Sequence, residues 1–155
     1  MSTKANSLPT GSPMLSIHDA AKAIEFYKRA LGATELTRLE EPGGKVGHAE
    51  LRIGNTTVTL ADEYPEMEKM GWVRSPRGLG GSSVILHVYV DDVDAVTKAA
   101  AEAGAKVLSP PSDQFYGDRI SRIADPFGHL WMLATRKEDL SPAEVRKRFE
   151  AILKQ

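Results

Sequence analysis

The chain has 155 residues, of which 41% are hydrophobic and 26% are charged, and its formal net charge is −1. This length allows one compact domain, or two packed half-domains, with a hydrophobic core. The near-neutral charge, without a basic or acidic block, argues against nucleic acid or an anionic membrane as the main partner. The chain contains no cysteine, which excludes disulfides, thiolate nucleophiles and cysteine-ligated metals.

The first residues of the chain are polar and small, so residues 1–12 are predicted to form a flexible tail. They contain one lysine and lack the apolar core of a secretory signal. No apolar run in the sequence reaches the roughly 18 residues that a membrane-spanning helix requires. We therefore expect a cytoplasmic protein whose partner is a small molecule, with no membrane or nucleic acid partner.

Two segments of the chain are similar to each other. Residues 19–33 read DAAKAIEFYKRALGA, and residues 91–105 read DDVDAVTKAAAEAGA. Asp19 in the first and Asp92 in the second are suited to capping a helix. Each segment continues with apolar or small side chains at helical spacing and closes with Gly-Ala, where a helix-ending glycine belongs. An internal repeat of this size predicts two similar halves that pack together.

Each predicted helix is flanked by β-prone sequence in the same order. One strand precedes each helix and three follow it, which predicts a β-α-β-β-β module twice, with antiparallel pairing across the short turns. The predicted strands are residues 13–17, 35–40, 45–53 and 56–62 in the first half, and 84–90, 106–108, 116–124 and 129–135 in the second. The apolar run at 84–90 predicts burial on both faces. Pro110-Pro111 is expected to end the strand at 106–108.

Two segments fall outside the repeat. Residues 64–82 contain prolines and glycines without clear periodicity, so they form either a linker or, because Trp72 and Met70 offer anchoring side chains, a partly ordered lid. Residues 136–155 contain a capping box at Ser141, which predicts an added amphipathic helix that packs on the body or on a second subunit. The predicted division is therefore a tail at 1–12, modules at 13–63 and 83–135, a linker or lid at 64–82, and an extension at 136–155.

Four short motifs point to a known family. They are residues 19–33, residues 47–51 (GHAEL), residues 114–119 (QFYGDR) and residues 125–131 (DPFGHLW). The first, second and fourth resemble the first helix, the third strand and the turn into the last strand of the vicinal oxygen chelate superfamily, also called the glyoxalase/bleomycin resistance/dioxygenase group. The third resembles a motif of its PhnB-like branch. The likeness spans residues 13–135.

This resemblance implies an α+β fold in which two tandem β-α-β-β-β modules form a curved-sheet half-barrel, here followed by a C-terminal helix. In the family, the concave faces of the sheets form a ligand cavity, often completed by a homodimer. Metal-using members hold a divalent ion in that cavity. The ion binds a ligand with two neighbouring oxygens and supports lyase, isomerase or dioxygenase chemistry.

The metal-ligand positions of the family are poorly filled in this sequence. Carried over by resemblance, they fall on Ser12 or its neighbour Met14, on Glu50, near Ile85 and on Met132. Only Glu50 is a usable oxygen ligand, whereas a divalent ion needs about three or four His or carboxylate ligands. We therefore expect no cofactor, with a divalent metal kept as the alternative.

A shifted metal site is that alternative. Side chains alternate along a strand, so His48 and Glu50 share a face. If His87 also points into the cavity, the three residues make the two-His-one-carboxylate set that non-haem iron uses, and Glu50 would also accept a proton. In the competing interpretation, both histidines line the cavity or the core and hydrogen-bond Glu50 or the ligand.

Other side chains are candidates for ligand binding without a metal. Arg119 and Arg122 lie three apart on a predicted strand and therefore face opposite sides. The family resemblance favours Arg119 inward, where its guanidinium would bind an anionic or carbonyl group. The alternative is a pair of surface residues. Tyr116 and Trp72 offer either flat walls for an aromatic ligand or ordinary packing.

These observations predict a small-molecule-binding protein of the glyoxalase/bleomycin resistance group, without a complete metal site, that binds an amphipathic or aromatic metabolite or antibiotic. One alternative is a metal-dependent lyase, isomerase or dioxygenase that uses His48, Glu50 and His87. Another is a scaffold or regulatory protein that binds its partner through the C-terminal helix. We expect a homodimer, with Glu50 as the catalytic residue if a substrate is turned over. The predicted ligand-binding residues are His48, Glu50, Trp72, His87, Tyr116, Arg119 and Met132.

Overall fold

The computed structural model describes residues 9–155 and separates the chain into two compact units, one that ends at Gly81 and one that begins at Ser82. The first eight residues of the predicted tail lie outside the described part of the chain. Within residues 9–155, no helix is long and apolar enough to cross a bilayer. The finer division into tail, modules, linker and extension stays a prediction.

Unit 1 contains a four-stranded sheet, one long helix and two short helices. Its elements are β1 (Met14–Ile17), α1 (Ala20–Leu31), β2 (Thr34–Glu40), β3 (Val46–Ile53), β4 (Thr56–Asp62), α2 (Pro65–Lys69) and α3 (Pro76–Leu79). The strand order is β1-β4-β3-β2, with β1 parallel to β4 and the other neighbours antiparallel. This confirms the β-α-β-β-β order and the antiparallel pairing predicted for the first half.

The helix α1 begins and ends at the residues that its sequence predicts. The Asp19 carboxylate accepts a hydrogen bond from the Lys22 N–H at 3.3 Å, and Gly32 ends the helix with a φ of 64°, which glycine adopts without a steric penalty. The apolar side of α1, including Ile24 and Tyr27, is fully buried against the sheet. Burial contributes about 1.5–3 kcal/mol for each such side chain, so packing on the sheet stabilises α1 more than helix propensity does.

Unit 2 repeats this arrangement. Its elements are β5 (Ile85–Tyr89), α4 (Val93–Glu102), β6 (Lys106–Asp113), β7 (Asp118–Ala124), β8 (Leu130–Arg136) and α5 (Pro142–Leu153). The strand order is β5-β8-β7-β6, again with a parallel first pair and antiparallel neighbours. The sequence repeat is therefore a repeat of structure, and the predicted α+β class of two tandem modules with a C-terminal helix is confirmed.

Two strands of unit 2 differ from their predictions. The strand β5 is not buried on both faces, because Ile85 and Tyr89 are 52% and 54% exposed while Val88 is buried. Pro110 and Pro111 do not end β6, which continues to Asp113. A proline has no N–H group to donate to a neighbouring strand. The strand β6 tolerates two prolines because it lies at the edge of its sheet, where one side of the strand has no neighbour.

The helix α5 begins at the predicted capping box, where Ser141 Oγ accepts a hydrogen bond from the Glu144 N–H at 3.2 Å. It contacts unit 2 through Phe149, whose ring centroid lies 5.7 Å from that of Phe115. Along residues 142–153, all of which the structure describes, no side chain is buried. The predicted packing of this helix on its own module is therefore limited.

The turn between β7 and β8 is organised by one buried carboxylate. Asp125 Oδ1 accepts hydrogen bonds from the N–H groups of Phe127 and His129, both at 2.9 Å. Asp125 Oδ2 accepts the indole N–H of Trp131, also at 2.9 Å. Because Trp131 is fully buried, the same carboxylate fixes both the turn and a large core side chain.

Replacing this carboxylate is expected to destabilise the protein. The variant Asp125→Ala should lower the free energy of unfolding by about 2–4 kcal/mol, because it leaves buried N–H donors without an acceptor. Urea unfolding followed by tryptophan fluorescence measures the change. The control Asp139→Ala removes an exposed carboxylate and should change the stability by less than about 0.5 kcal/mol. Equal stabilities of the two variants would contradict this account of the turn.

Candidate functional site

Each sheet packs one face against its long helix. In unit 1, alternate strand residues such as Leu15, Leu51 and Leu60 are buried on the α1 side. Their neighbours along each strand point to the opposite side. We call that opposite side open face 1. Strand register assigns to it Met14, Ser16, Thr37, His48, Glu50, Thr59 and Ala61.

The candidate residues His48 and Glu50 lie together on open face 1. His48 Nε2 is 3.2 Å from Glu50 Oε1, and both side chains are partly exposed. The predicted shared face is therefore confirmed. An imidazole in contact with a carboxylate can hydrogen-bond a ligand or transfer a proton to or from it.

A cavity of about 230 Å³ lies on open face 1. One side of the cavity is formed by strand residues of the sheet, and the other side by residues that follow β4. Its lining residues are Met14, Ser16, Gly47, Ala61, Asp62, Tyr64, Met67, Trp72 and Val73. The volume lies below the range of about 300–1,000 Å³ that is usual for drug-sized ligands. The cavity therefore suits a compact ring or one part of a larger ligand.

Two polar groups of the cavity wall are engaged by the protein itself. The Asp62 carboxylate accepts the N–H groups of Ala20 at 2.9 Å and Val46 at 2.7 Å. The Tyr64 hydroxyl donates to Glu41 Oε1 at 2.8 Å. Burial, followed by the hydrogen bond to Glu41, raises the pKa of Tyr64 to about 12, so the phenol is neutral at physiological pH. The cavity wall therefore offers a ligand mainly apolar contacts.

The segment at 64–82, predicted as a linker or lid, is attached to the end of β4 by contacts with the Glu63 carboxylate. The buried Ser75 hydroxyl donates a hydrogen bond to Glu63, and the Arg77 guanidinium forms an ion pair with the same side chain. Between these contacts and β4, Trp72 lines the cavity although it is 73% exposed. The segment thus forms one wall of the cavity, and its movement as a lid stays a prediction.

Unit 2 also has a face opposite its long helix α4, which we call open face 2. Strand register places His87, Met132 and Arg122 in one row across β5, β8 and β7. The His87 ring centroid lies 5.0 Å from that of Tyr89. Strand register assigns to open face 2 the residues Ile85, His87, Tyr89, Asp118, Ile120, Arg122, Ala124, Leu130, Met132, Ala134 and Arg136, of which Ile120 and Ala134 are fully buried. Two of the predicted ligand-binding residues, His87 and Met132, are therefore neighbours on this face.

The expected orientation of Arg119 is wrong. Its guanidinium forms hydrogen-bonded ion pairs with Asp94 of α4, at 2.7 and 2.9 Å, and with Asp113 at 3.0 Å. These contacts place Arg119 on the helix side of the sheet. Arg122 lies on open face 2 instead, and sequence reasoning did not include it among the ligand-binding residues.

Tyr116 lies in the connection between β6 and β7. Its ring packs edge-on against Phe115, with centroids 5.1 Å apart. Burial, and then the Asp118 carboxylate, raise the pKa of Tyr116, whereas the Arg122 guanidinium acts in the opposite direction.

Comparison with known proteins shows the family. The model of the Glyoxalase/Bleomycin resistance protein/Dioxygenase superfamily matches residues 11–133. The chain belongs to this superfamily. The match covers both modules and confirms the superfamily that the sequence motifs predict.

Individual relatives agree with this assignment. An uncharacterized protein of Mycobacterium bovis is 44% identical over 138 residues, which cover 89% of this chain and 90% of that protein. The crystal structure of TioX from Micromonospora sp. ML1 is 25% identical with a TM-score of 0.62, covering 86% of this chain and 100% of TioX. A glyoxalase-related enzyme from Fulvimarina pelagi, 21% identical with a TM-score of 0.65, shares the fold over 83% of this chain and 89% of its own.

The donors at the metal positions that the resemblance implies do not fit a divalent ion. The first offers the Ser12 hydroxyl or the thioether of its neighbour Met14, Met132 offers a thioether, and Ile85 has no donor atom. Only Glu50 has an oxygen ligand of the kind that hard or borderline cations prefer. We therefore assign no chemical step to a metal.

The shifted set of metal ligands is divided between the two units. His48 and Glu50 belong to unit 1, and His87 belongs to unit 2. Across the part of the chain that the structure describes, no three His, Asp or Glu side chains are grouped so that they could hold a metal ion. The set of three stays a prediction from the sequence.

The cavity wall formed by residues 64–82 is expected to loosen in acid. The hydrogen bond from Ser75, together with Arg77, lowers the pKa of Glu63 although desolvation opposes this shift. A carboxylate with a lowered pKa stabilises the fold above its usual pKa of about 4.3, and this contribution is lost as the pH falls through the lowered value. The NMR amide signals of residues 75–78 should therefore titrate below about pH 4.3.

Two variants test this assignment. In Glu63→Gln, the acid-dependent step should disappear and the signals of residues 75–78 should resemble those of the acid form at every pH. In Glu66→Gln, which removes an exposed carboxylate from the same segment, the step should remain. A step that persists in Glu63→Gln would show that another group controls the segment.

Proposed function

We propose that this protein binds an amphipathic or aromatic small molecule, such as a metabolite or an antibiotic, on open face 1 without a complete metal site. The observation that carries the proposal is the cavity of about 230 Å³ between the sheet and Trp72. Its walls are largely apolar, and His48 and Glu50 lie on the same sheet face. Apolar walls with a few placed polar groups are typical of small-molecule sites.

The size of the cavity limits the affinity that apolar contacts can supply. A ligand that buries about 150 Å² of apolar surface gains roughly 4 kcal/mol, which corresponds to about millimolar binding before the costs of association. Tighter binding requires polar contacts. His48 and Glu50 are the groups on this face that we assign to them.

The finer classification belongs to the same proposal. Residues 114–119 support membership of the PhnB-like branch through their resemblance to its motif. Members of the superfamily are commonly dimers that bind small molecules. We extend this to a homodimer in the cytoplasm. Light scattering of the purified chain would test whether it is a dimer.

Binding at the cavity is expected to depend on Trp72. Phenol, a neutral ring that the cavity can hold, should shift the NMR signals of Gly47, Ala61 and the Trp72 indole. The variant Trp72→Ala should weaken phenol binding about five- to tenfold, because an aromatic contact of this kind contributes roughly 1–1.5 kcal/mol. The matched control is Met70→Ala, since Met70 is exposed in the same segment and does not line the cavity. Equal losses in the two variants would reject the cavity as the site.

Metal content separates this proposal from the enzyme alternative. Protein purified without chelator is expected to carry far less than one Zn, Fe, Ni or Mn ion per chain by plasma mass spectrometry, because Glu50 is the one carboxylate, and no histidine is present, at the positions that the resemblance implies. A stoichiometric ion that is lost in His48→Ala, but kept in the control His129→Ala, would favour a metal-dependent lyase, isomerase or dioxygenase that uses His48, Glu50 and His87.

A further inference from the structure

Open face 2 carries a cation without a carboxylate partner. The strands β7 and β8 contain three arginines, and two of them are paired: Arg119 with Asp94, and Arg136 with Asp118. Arg122 is exposed, and no carboxylate among residues 9–155 lies within salt-bridge distance of it. The face therefore has one positive charge available to a ligand.

The acidic group of this face is already neutralised. Asp118 is 2% exposed, and its Oδ2 accepts the Tyr89 hydroxyl at 2.8 Å while its Oδ1 contacts the Arg136 guanidinium. The Arg136 guanidinium also donates to the Tyr89 hydroxyl at 3.1 Å. Both oxygens of Asp118 are engaged in this way. Asp118 is therefore the ion-pair partner of Arg136 and does not pair with Arg122.

Open face 2 also carries apolar and aromatic side chains in the same row as Arg122. Neighbouring strands are about 4.8 Å apart, so Met132 lies next to Arg122 and His87 lies one strand further along the same row. The His87 imidazole is exposed and lies against the Tyr89 ring. The cation thus adjoins an apolar and aromatic surface with hydroxyl and imidazole groups.

We propose that open face 2 binds an aromatic monocarboxylate, with Arg122 as the residue that holds the carboxylate and with His87 against the ring. The planar guanidinium offers two parallel N–H donors that match a carboxylate. A single unpaired cation neutralises one negative charge, which favours a carboxylate over a phosphate dianion. The site contains residues of unit 2 only. Ligand binding here can therefore be tested independently of ligand binding at the cavity in unit 1.

Benzoate and its neutral analogue benzamide test this site. Each is titrated into the full chain in a buffer without carboxylates or phosphate, and binding is followed by ¹H–¹⁵N NMR. Benzoate is expected to shift signals of β5, β7 and β8 and to bind at least about tenfold more tightly than benzamide, because a charge-assisted hydrogen bond is stronger than a neutral one. Equal affinities for the two compounds in the wild-type chain would overturn the proposal.

Variants identify the residue responsible. Arg122→Gln should weaken benzoate binding about tenfold and leave benzamide unchanged, and Arg122→Lys, which keeps the charge but not the planar fork, should lose part of the affinity. Arg146→Gln removes the same charge from an exposed position on α5 and should bind benzoate like the wild type. An equal loss in Arg146→Gln, or benzoate shifts confined to unit 1, would overturn the assignment to Arg122. The second outcome would leave the proposed function of unit 1 intact.

Discussion

The alternation of side chains along the strands is the constraint on which the rest of this structure depends. One face of each sheet must be apolar, because it packs against α1 or α4, and residues such as Leu51 and Leu133 are fully buried there. The other face is exposed in part, at residues such as Glu50 and Arg122, and at such positions charged and aromatic side chains avoid a large desolvation cost. The candidate residues His48, Glu50 and His87 all lie on such faces. The helix-packed core and these candidate residues thus lie on opposite sides of the same strands.

The sequence predicts the fold wherever the signal is local or repeated. Asp19 and Gly32 act within one turn of α1, so both ends of that helix follow from neighbouring residues. The repeat then predicts that the second module has the same order of elements. The extent of β6 has a different origin, because Pro110 is tolerated only where the sheet has an edge. Whether a strand lies at the edge of its sheet cannot be deduced from a short stretch of sequence. The predicted end of β6 at residue 108 is therefore too early.

The same distinction explains the candidate site. His48 and Glu50 are two residues apart on one strand, so their shared face follows from alternation. The direction of Arg119 depends on which face α4 covers and on Asp94, 25 residues away in the chain. A motif resemblance contains neither fact, and it therefore favoured the wrong arginine of β7. The cavity beside Trp72 likewise cannot be predicted from local sequence, because its lining combines residues of β1 with residues that follow β4.

Asp62 links the shape of the cavity to the framework of unit 1. Its carboxylate lines the cavity and also holds the first N–H of α1 and the start of β3. Displacing it would break hydrogen bonds to a charged acceptor that contribute about 1.5–3 kcal/mol each. The exposed indole of Trp72, by contrast, has few neighbours that restrain it. The cavity therefore has one wall tied to the framework by hydrogen bonds and one wall formed by an exposed side chain, so substitutions at Trp72 can change its shape without disturbing the hydrogen bonds of Asp62.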